Sequence, residues 1–196
     1  MKTYGCQMNK YDSELISGIL DNGSFKIIDD LKFADAILIN TCAVREHAEN
    51  RALSNISQLQ SLKKKNPNVI ICVLGCMSKH LGNKILKKNP HVDIVLGPDS
   101  YRMLPTLLKK RIKYEDISTR ENEDYCDILP KRNKGVTAWV AISRGCNEEC
   151  SYCIVPYTRG KERSKPVKSI INEIDQLLKE GFKEITLLGQ NVNSYN

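Results

Sequence analysis

The apolar positions of the first hundred residues change period several times. Leu15, Ile16, Ile19 and Leu20 recur at helical spacing and predict a helix over Asp12–Asn22, with Gly23 as its stop. Asp35–Asn40 holds a short apolar run suited to a buried strand. From Val44 to Lys65 the spacing is helical again, with Ala48, Ala52, Ile56 and Leu59 on one face, and Asn66-Pro67-Asn68 ends it. Val69–Leu74 is β-branched and nearly all apolar, as a strand covered on both faces should be. Lys79–Lys88 reads as a helix, Val92–Leu96 as a strand and Tyr101–Lys110 as a helix, while Lys2–Tyr4 offers a short first strand. Strands interleaved with helices predict an α/β unit built on a doubly wound parallel sheet.

Periodicity fades over 114–134, which reads as a linker with at most a short strand. It returns with a strand over Val136–Ser143 and a helix over Pro166–Glu180, with Ile170, Ile171, Ile174, Leu177 and Leu178 on one face. Gly181 stands where a glycine commonly closes a helix, and Glu184–Leu188 is the next strand. The predicted organisation is thus an N-terminal domain over 1–113, a linker over 114–134, and one βαβ unit over 135–196.

Charge sharpens this division. The 196 residues carry 30 basic and 23 acidic groups, net +7. Residues 1–114 hold 18 basic and 10 acidic side chains, 115–128 hold one and six, and 129–196 hold eleven and seven. Two basic modules flank an acidic connector. A basic surface suits a polyanion, and it is also common on ordinary soluble proteins. Apolar residues at 41% and charged residues at 27% argue against disorder throughout. No apolar run approaches the ~20 residues that span a bilayer, and the N-terminus lacks the apolar segment of a secretory signal. No membrane and a cytoplasmic location are expected. Eight cysteines without an export signal then point to metal or redox chemistry over disulfides.

Three of those cysteines, Cys146, Cys150 and Cys153, form a CxxxCxxC loop directly after a predicted strand. Three thiolates so spaced can hold three corners of an iron–sulfur cube and leave one iron open for a substrate. A zinc site completed by a distant ligand is the competing reading, as is an iron–sulfur module with no catalytic role. Cys72 sits inside an apolar strand and reads as a core thiol. Cys126 and the histidines His47, His80 and His91 show no ligand spacing.

The flanking residues carry a resemblance. CxxxCxxC with Tyr152 before its last cysteine resembles the radical S-adenosylmethionine enzymes. Ser143-Arg144-Gly145-Cys146-Asn147, Val155-Pro156-Tyr157-Thr158-Arg159-Gly160 and Lys161-Glu162-Arg163-Ser164 are similar to their methylthiotransferase branch. So are Tyr4-Gly5-Cys6-Gln7-Met8-Asn9, Asn40-Thr41-Cys42-Ala43-Val44-Arg45 and Gly75-Cys76. Leu188-Gly189-Gln190-Asn191-Val192-Asn193-Ser194-Tyr195 most resembles the tRNA-modifying type that acts on isopentenyladenosine. Sibling types act on threonylcarbamoyladenosine in tRNA or on a ribosomal-protein aspartate.

The resemblance implies two 4Fe-4S clusters and S-adenosylmethionine as cofactors. Cys146, Cys150 and Cys153 would hold one cluster, and Cys6, Cys42 and Cys76 an auxiliary one. Tyr152, Gly189, Gln190 and Asn191 would border S-adenosylmethionine. The implied reaction generates a 5′-deoxyadenosyl radical, abstracts hydrogen from C2 of the isopentenylated adenine, and inserts sulfur. A second S-adenosylmethionine then methylates that sulfur. The implied partners are the anticodon stem-loop of a tRNA and a reductant such as flavodoxin or ferredoxin. The strand pattern agrees with the auxiliary site, because Cys6, Cys42 and Cys76 each follow a predicted strand. In a parallel sheet all three would share the carboxyl edge, where such folds place ligands. The resemblance also implies an incomplete barrel, since a full eight-stranded one takes ~250 residues. Arg159, Lys161, Arg163 and Lys165 form a basic run suited to phosphate contact, with Glu162 among them as an internal partner.

Overall fold

The structure is a computed structural model that describes all 196 residues. Its larger part is a sheet of five parallel strands in the order β1-β2-β3-β4-β5. These are β1 (Lys2–Thr3), β2 (Ala36–Thr41), β3 (Ile70–Gly75), β4 (Ile94–Leu96) and β5 (Tyr114–Asp116). Side chains alternate across this sheet with period two. Leu38, Ile70, Cys72, Leu74, Ile94 and Leu96 face helices α1 (Gln7–Asn22) and α5 (Leu104–Lys110). Ile37, Ile39, Ile71, Val73 and Val95 face α2 (Glu46–Lys65), α3 (Cys76–Leu81) and α4 (Asn83–Lys88). Both faces of β3 are covered, and all six of its residues are buried.

Local chemistry accounts for several ends. Helix α2 has Glu46 and Glu49 in its first turn and Lys63, Lys64 and Lys65 in its last, each sign placed against the helix dipole. The helix expected over Lys79–Lys88 is instead two, α3 and α4, broken at Gly82. Helix α1 begins at Gln7, five residues before the apolar period suggests. Its first turns bury Met8, Asn9, Tyr11 and Asp12, a mixed set that carries no amphipathic signal.

The segment 114–134, expected as a linker, is packed onto the N-terminal sheet. Its first residues form β5, so the sheet runs past the expected boundary at 113. Farther on, Tyr125 is 1% exposed, stacks on Tyr101, and donates its hydroxyl to the carbonyl of Pro98 at 3.0 Å. Arg120 is held by Asp116, Asp99 and Ser100. Three of its six acidic residues, Asp116, Glu123 and Asp127, form ion pairs with Arg120 and Arg102, so their clustering in sequence does not mark a solvated tether.

The smaller part contains β6 (Thr137–Ala141) and β9 (Glu184–Leu188), paired in parallel and joined through α7 (Val167–Lys179). This is the expected βαβ unit. Helix α7 ends at Gly181, whose φ is +95°, with Phe182 N–H donating to Leu177 O and Gly181 N–H to Leu178 O. Those two bonds satisfy carbonyls the helix end would otherwise orphan. A second, antiparallel pair, β7 (Ser143–Arg144) with β8 (Arg163–Ser164), closes the base of the cysteine loop. Between them lies the short helix α6 (Val155–Arg159). No helix is long and apolar enough to cross a membrane.

The two parts meet across α1. One side of that helix packs on the sheet through Leu15, Ile16, Ile19 and Leu20, and its opening turns pack Met8 and Tyr11 against Ala141 and Leu188. Buried charges cross the same boundary. Asp12 accepts from Arg144 at 2.8 Å and from Arg159 at 2.6 Å, and all three side chains are at most 4% exposed. Glu173 of α7, 1% exposed, binds Lys165 at 2.6 Å and Arg132 at 2.5 Å and accepts from the Tyr11 hydroxyl at 3.2 Å.

Candidate functional site

Cys6, Cys42 and Cys76 each stand directly beyond the carboxyl end of a strand or its first turn, on three neighbouring parallel strands. Cys6 caps α1, Cys42 precedes α2, and Cys76 opens α3. Three residues distant in sequence therefore line one cavity of about 280 Å³. Its other walls include Val155, Arg159, Leu188, Gly189 and Gln190 from the smaller part. The cavity thus spans both parts of the molecule.

Three thiols so placed have the donor chemistry of thiolate ligands to iron. All eight cysteines are free. The Cys6 thiol adjoins Cys42 and donates to it, and with the backbone amides of Val44 and Arg45 it brings the Cys42 thiol down to about 6, against the opposing effect of burial. The Val44 amide lies 3.4 Å from Cys42 Sγ. Cys6, as the donor of the pair, is pushed up. Burial pushes Cys76 up as well, while the neighbouring Arg159 guanidinium opposes that rise. Cys72, wholly buried in the core, is raised by burial alone in the main.

Gly5 makes the convergence of Cys6 and Cys42 geometrically feasible. Its φ is +115°, and a Cβ there would lie 2.2 Å from Cys42 Cβ and 2.9 Å from Cys42 Sγ. Any other residue would push the two cysteines apart. At the second loop Gly145 plays the corresponding part: φ is +81°, and a Cβ would lie 2.1 Å from the carbonyl oxygen of Lys161. The signal for both was a glycine directly before a cysteine, which the spacing of cysteines alone does not weigh.

Cys146, Cys150 and Cys153 lie on the loop that β7 and β8 close. Cys146 is buried, Cys153 half-buried and Cys150 exposed. The Cys146 amide donates to Gly160 O at 3.1 Å, and its Sγ faces the Glu148 amide at 3.4 Å. Tyr152 is 89% exposed beside them. No three His, Cys, Asp or Glu side chains anywhere in the chain converge closely enough to hold a single metal ion. Three thiols on one loop fit an iron–sulfur cube, which takes each thiolate on a different iron.

Gln190 lines the cavity with its Oε1 buried and without a partner, an acceptor aimed at space a donor would fill. Gly189 approaches so closely that a Cβ would lie 2.7 Å from Ser143 Oγ. Asn191 is placed differently. Its Oδ1 caps the following turn by accepting from Asn193 N at 3.2 Å, and it does not line the cavity.

Of the basic run at Arg159, Lys161, Arg163 and Lys165, only Lys161 is exposed; the other three are paired with acids. Arg159 is held by Asp12, Arg163 by Asp99 at 3.0 Å, and Lys165 by Glu173, all largely buried. Glu162 accepts from the Ser194 hydroxyl and has no basic partner. Sequence reading missed the acids that neutralise this run, because Asp12 and Asp99 lie far upstream. It also missed Asn9 and Asn40, fully buried, which with Ser13 tie β2 to α1: Asn40 Nδ2 donates to Asn9 O at 2.8 Å and to Ser13 Oγ at 2.9 Å.

Comparison with known proteins places these features. Residues 1–97 match the family described as uncharacterized protein family UPF0004, and residues 140–196 match the radical SAM superfamily. The chain is 49% identical over its whole length to a tRNA-2-methylthio-N(6)-dimethylallyladenosine synthase of Chloroherpeton thalassium, covering 44% of that protein. The chain carries the UPF0004 and radical SAM domains and is similar over its whole length to synthases of that name. Synthases of the same name from Thermodesulfovibrio yellowstonii and Staphylococcus aureus strain Newman are each 48% identical across the full chain, which covers 46% and 39% of them. The chain therefore spans less than half the length of the curated relatives it matches. Among solved structures, the radical S-adenosylmethionine methyltransferase TsrM of Kitasatospora setae, with cobalamin and a 4Fe-4S cluster bound, aligns with a TM-score of 0.63 over 93% of this chain and 45% of that one, at 13% identity. A second TsrM structure, with tryptophan and an S-adenosylmethionine analogue, aligns with a TM-score of 0.59 over 94% of this chain and 46% of that one, at 12% identity. Those two likenesses speak to the fold.

Proposed function

We propose that this chain is the cluster-bearing portion of a cytoplasmic tRNA methylthiotransferase that modifies C2 of N6-isopentenyladenosine beside the anticodon. The observation that carries the proposal is the cavity shared by Cys6, Cys42 and Cys76 with Gly189 and Gln190. It sets three thiols from one domain against strand-end residues of the other. The tRNA-modifying synthases at about half identity over the whole chain support the substrate class.

In this reading Cys146, Cys150 and Cys153 hold one 4Fe-4S cluster, and Cys6, Cys42 and Cys76 hold the second. When bound, these clusters and S-adenosylmethionine supply the one-electron chemistry, the sulfur and the methyl group. The chain's own residues do the rest. The buried, unpartnered Oε1 of Gln190 would accept a hydrogen bond from the S-adenosylmethionine amine, and the exposed Tyr152 would border the cofactor. Gly189 keeps the strand end low enough for approach. Leu188, Val155 and Met8 supply apolar wall to the cavity of the three N-terminal thiols. The anticodon stem-loop and a flavodoxin- or ferredoxin-like reductant are the partners.

Anaerobic reconstitution of the chain with iron and sulfide tests the proposal. About eight irons per chain, two cubes of four, is the expected result. With a reductant, the loaded chain should cleave S-adenosylmethionine to 5′-deoxyadenosine and methionine. Zinc bound with no iron would overturn the reading in favour of a colourless zinc module.

A further inference from the structure

Asp12 is one carboxylate facing two guanidiniums, Arg144 and Arg159, and all three are nearly inaccessible to water. The cluster therefore carries one uncompensated positive charge. Burying an unpaired charge is costly unless an anion stands beside it. The two arginines differ in what faces their remaining nitrogens. Arg144 also leaves Nε and Nη2 buried without a hydrogen-bond partner, but it lies 5.1 Å from the ring of Tyr125, a cation–π partner, and does not reach the cysteine cavity. Arg159 spends Nη2 on Asp12 at 2.6 Å and on Asn9 Oδ1 at 3.1 Å. Its Nη1 is buried with no partner at all. Arg159 also lines the cavity of Cys6, Cys42 and Cys76 and adjoins the Cys76 thiol. The surplus charge and the free donor thus sit at the same place, facing thiols that become anionic when they bind iron.

We infer that Arg159 is the built-in counter-charge of the N-terminal cluster, donating from Nη1 toward Cys76 and so making the cluster easier to reduce. The inference rests on the proposed assignment of Cys6, Cys42 and Cys76 as cluster ligands. Arg159 belongs to α6, in the half of the molecule that carries the CxxxCxxC loop, while the cysteines belong to the other half. Its contact therefore also ties the radical domain to the loaded state of the N-terminal site. Arg159 is a positioning residue, and it touches no substrate in this argument.

The test uses the chain carrying Cys150→Ala, so that only the N-terminal cluster is read. Its reduction is followed by electron paramagnetic resonance during an anaerobic redox titration. Adding Arg159→Gln leaves Asp12 paired with Arg144, so folding is retained. The expected result is at least a tenfold shift of the equilibrium toward the oxidised cluster, about 59 mV for a one-electron couple. Arg159→Lys, which keeps the charge, should stay within about threefold of the parent and retain its iron. An unchanged potential in Arg159→Gln at equal iron content overturns the inference. If Arg159→Gln loses its iron, Arg159→Lys decides: retention of the cluster at the parent potential supports the charge role, and loss of it overturns that role in favour of shape. A parent chain with no iron at Cys6, Cys42 and Cys76 defeats the functional reading itself, a result distinct from either.

Discussion

Cys146, Cys150 and Cys153 occupy one loop whose ends are tied by two short antiparallel strands, while Cys6, Cys42 and Cys76 come from the ends of three strands and meet only because those strands lie side by side. The first set needs a small closed loop. The second needs the entire sheet, its register and the helices on both faces. The difference teaches where each site is vulnerable. Damage to the sheet should empty the N-terminal site and spare the loop, and damage to the β7–β8 closure should do the reverse. The ion triad around Asp12 joins the two, since its acid comes from α1 beside Cys6 and its bases flank the cysteine loop.

The largest expected effect breaks that joint. Asp12→Ala leaves two buried guanidiniums facing each other without an acid, and removing one partner of a buried pair costs about 3–5 kcal/mol. Urea unfolding should show the loss in the midpoint, and both sites should hold less iron. A loss under about 1 kcal/mol would mean that the two halves stand independently. Next come the cysteines themselves. Cys42→Ala and Cys150→Ala should each reduce bound iron from about eight to about four per chain, and the double variant should remove nearly all of it. Equal iron in Cys42→Ala and the parent would dissolve the distinction between the sites.

Smaller effects sharpen the comparison. Gly5→Ala forces a side chain into Cys42 and should cost about 1–3 kcal/mol from the strained backbone, with further loss from the clash. Its iron loss should fall on the N-terminal site alone. Gly145→Ala, blocked by the Lys161 carbonyl, should lower iron at the CxxxCxxC loop and leave the other site filled. Mössbauer or paramagnetic-resonance spectra of each variant distinguish the two clusters. The smallest effect is Gln190→Ala. Losing one hydrogen bond of about 1 kcal/mol should weaken S-adenosylmethionine binding roughly fivefold in equilibrium dialysis, with iron content and melting temperature unchanged.

Much of this was legible before any coordinates. The strands over 35–40, 69–74, 92–96 and 184–188 lie within a residue or two of β2, β3, β4 and β9, because apolar runs covered on both faces leave a strong signal. The CxxxCxxC loop is visible as a motif because its three cysteines are local. The opening of α1 was not legible, since Met8, Asn9, Tyr11 and Asp12 face a second domain and not a single apolar core. The segment 114–134 misled for a related reason. Its charges pair with Arg102 and Arg120 and within the segment itself, and its few apolar anchors, Tyr125 and Ile128, have no period. Arg159 and Arg163 looked free because their acids, Asp12 and Asp99, lie more than fifty residues upstream.

Sequence by itself determined the class of fold, the presence of three local thiols, and which glycines and strand ends stand beside cysteines. Those features depend on period and on neighbours a few residues away, and both are written along the chain. Tertiary structure alone decided that Arg159 is a buried counter-charge and not a surface base, that Asn191 caps a turn while Gln190 keeps a free acceptor, and that both domains wall one cavity. Each of these depends on which residue of one domain meets which residue of the other. Desolvation at that contact sets the worth of every charge there, and no local pattern encodes it.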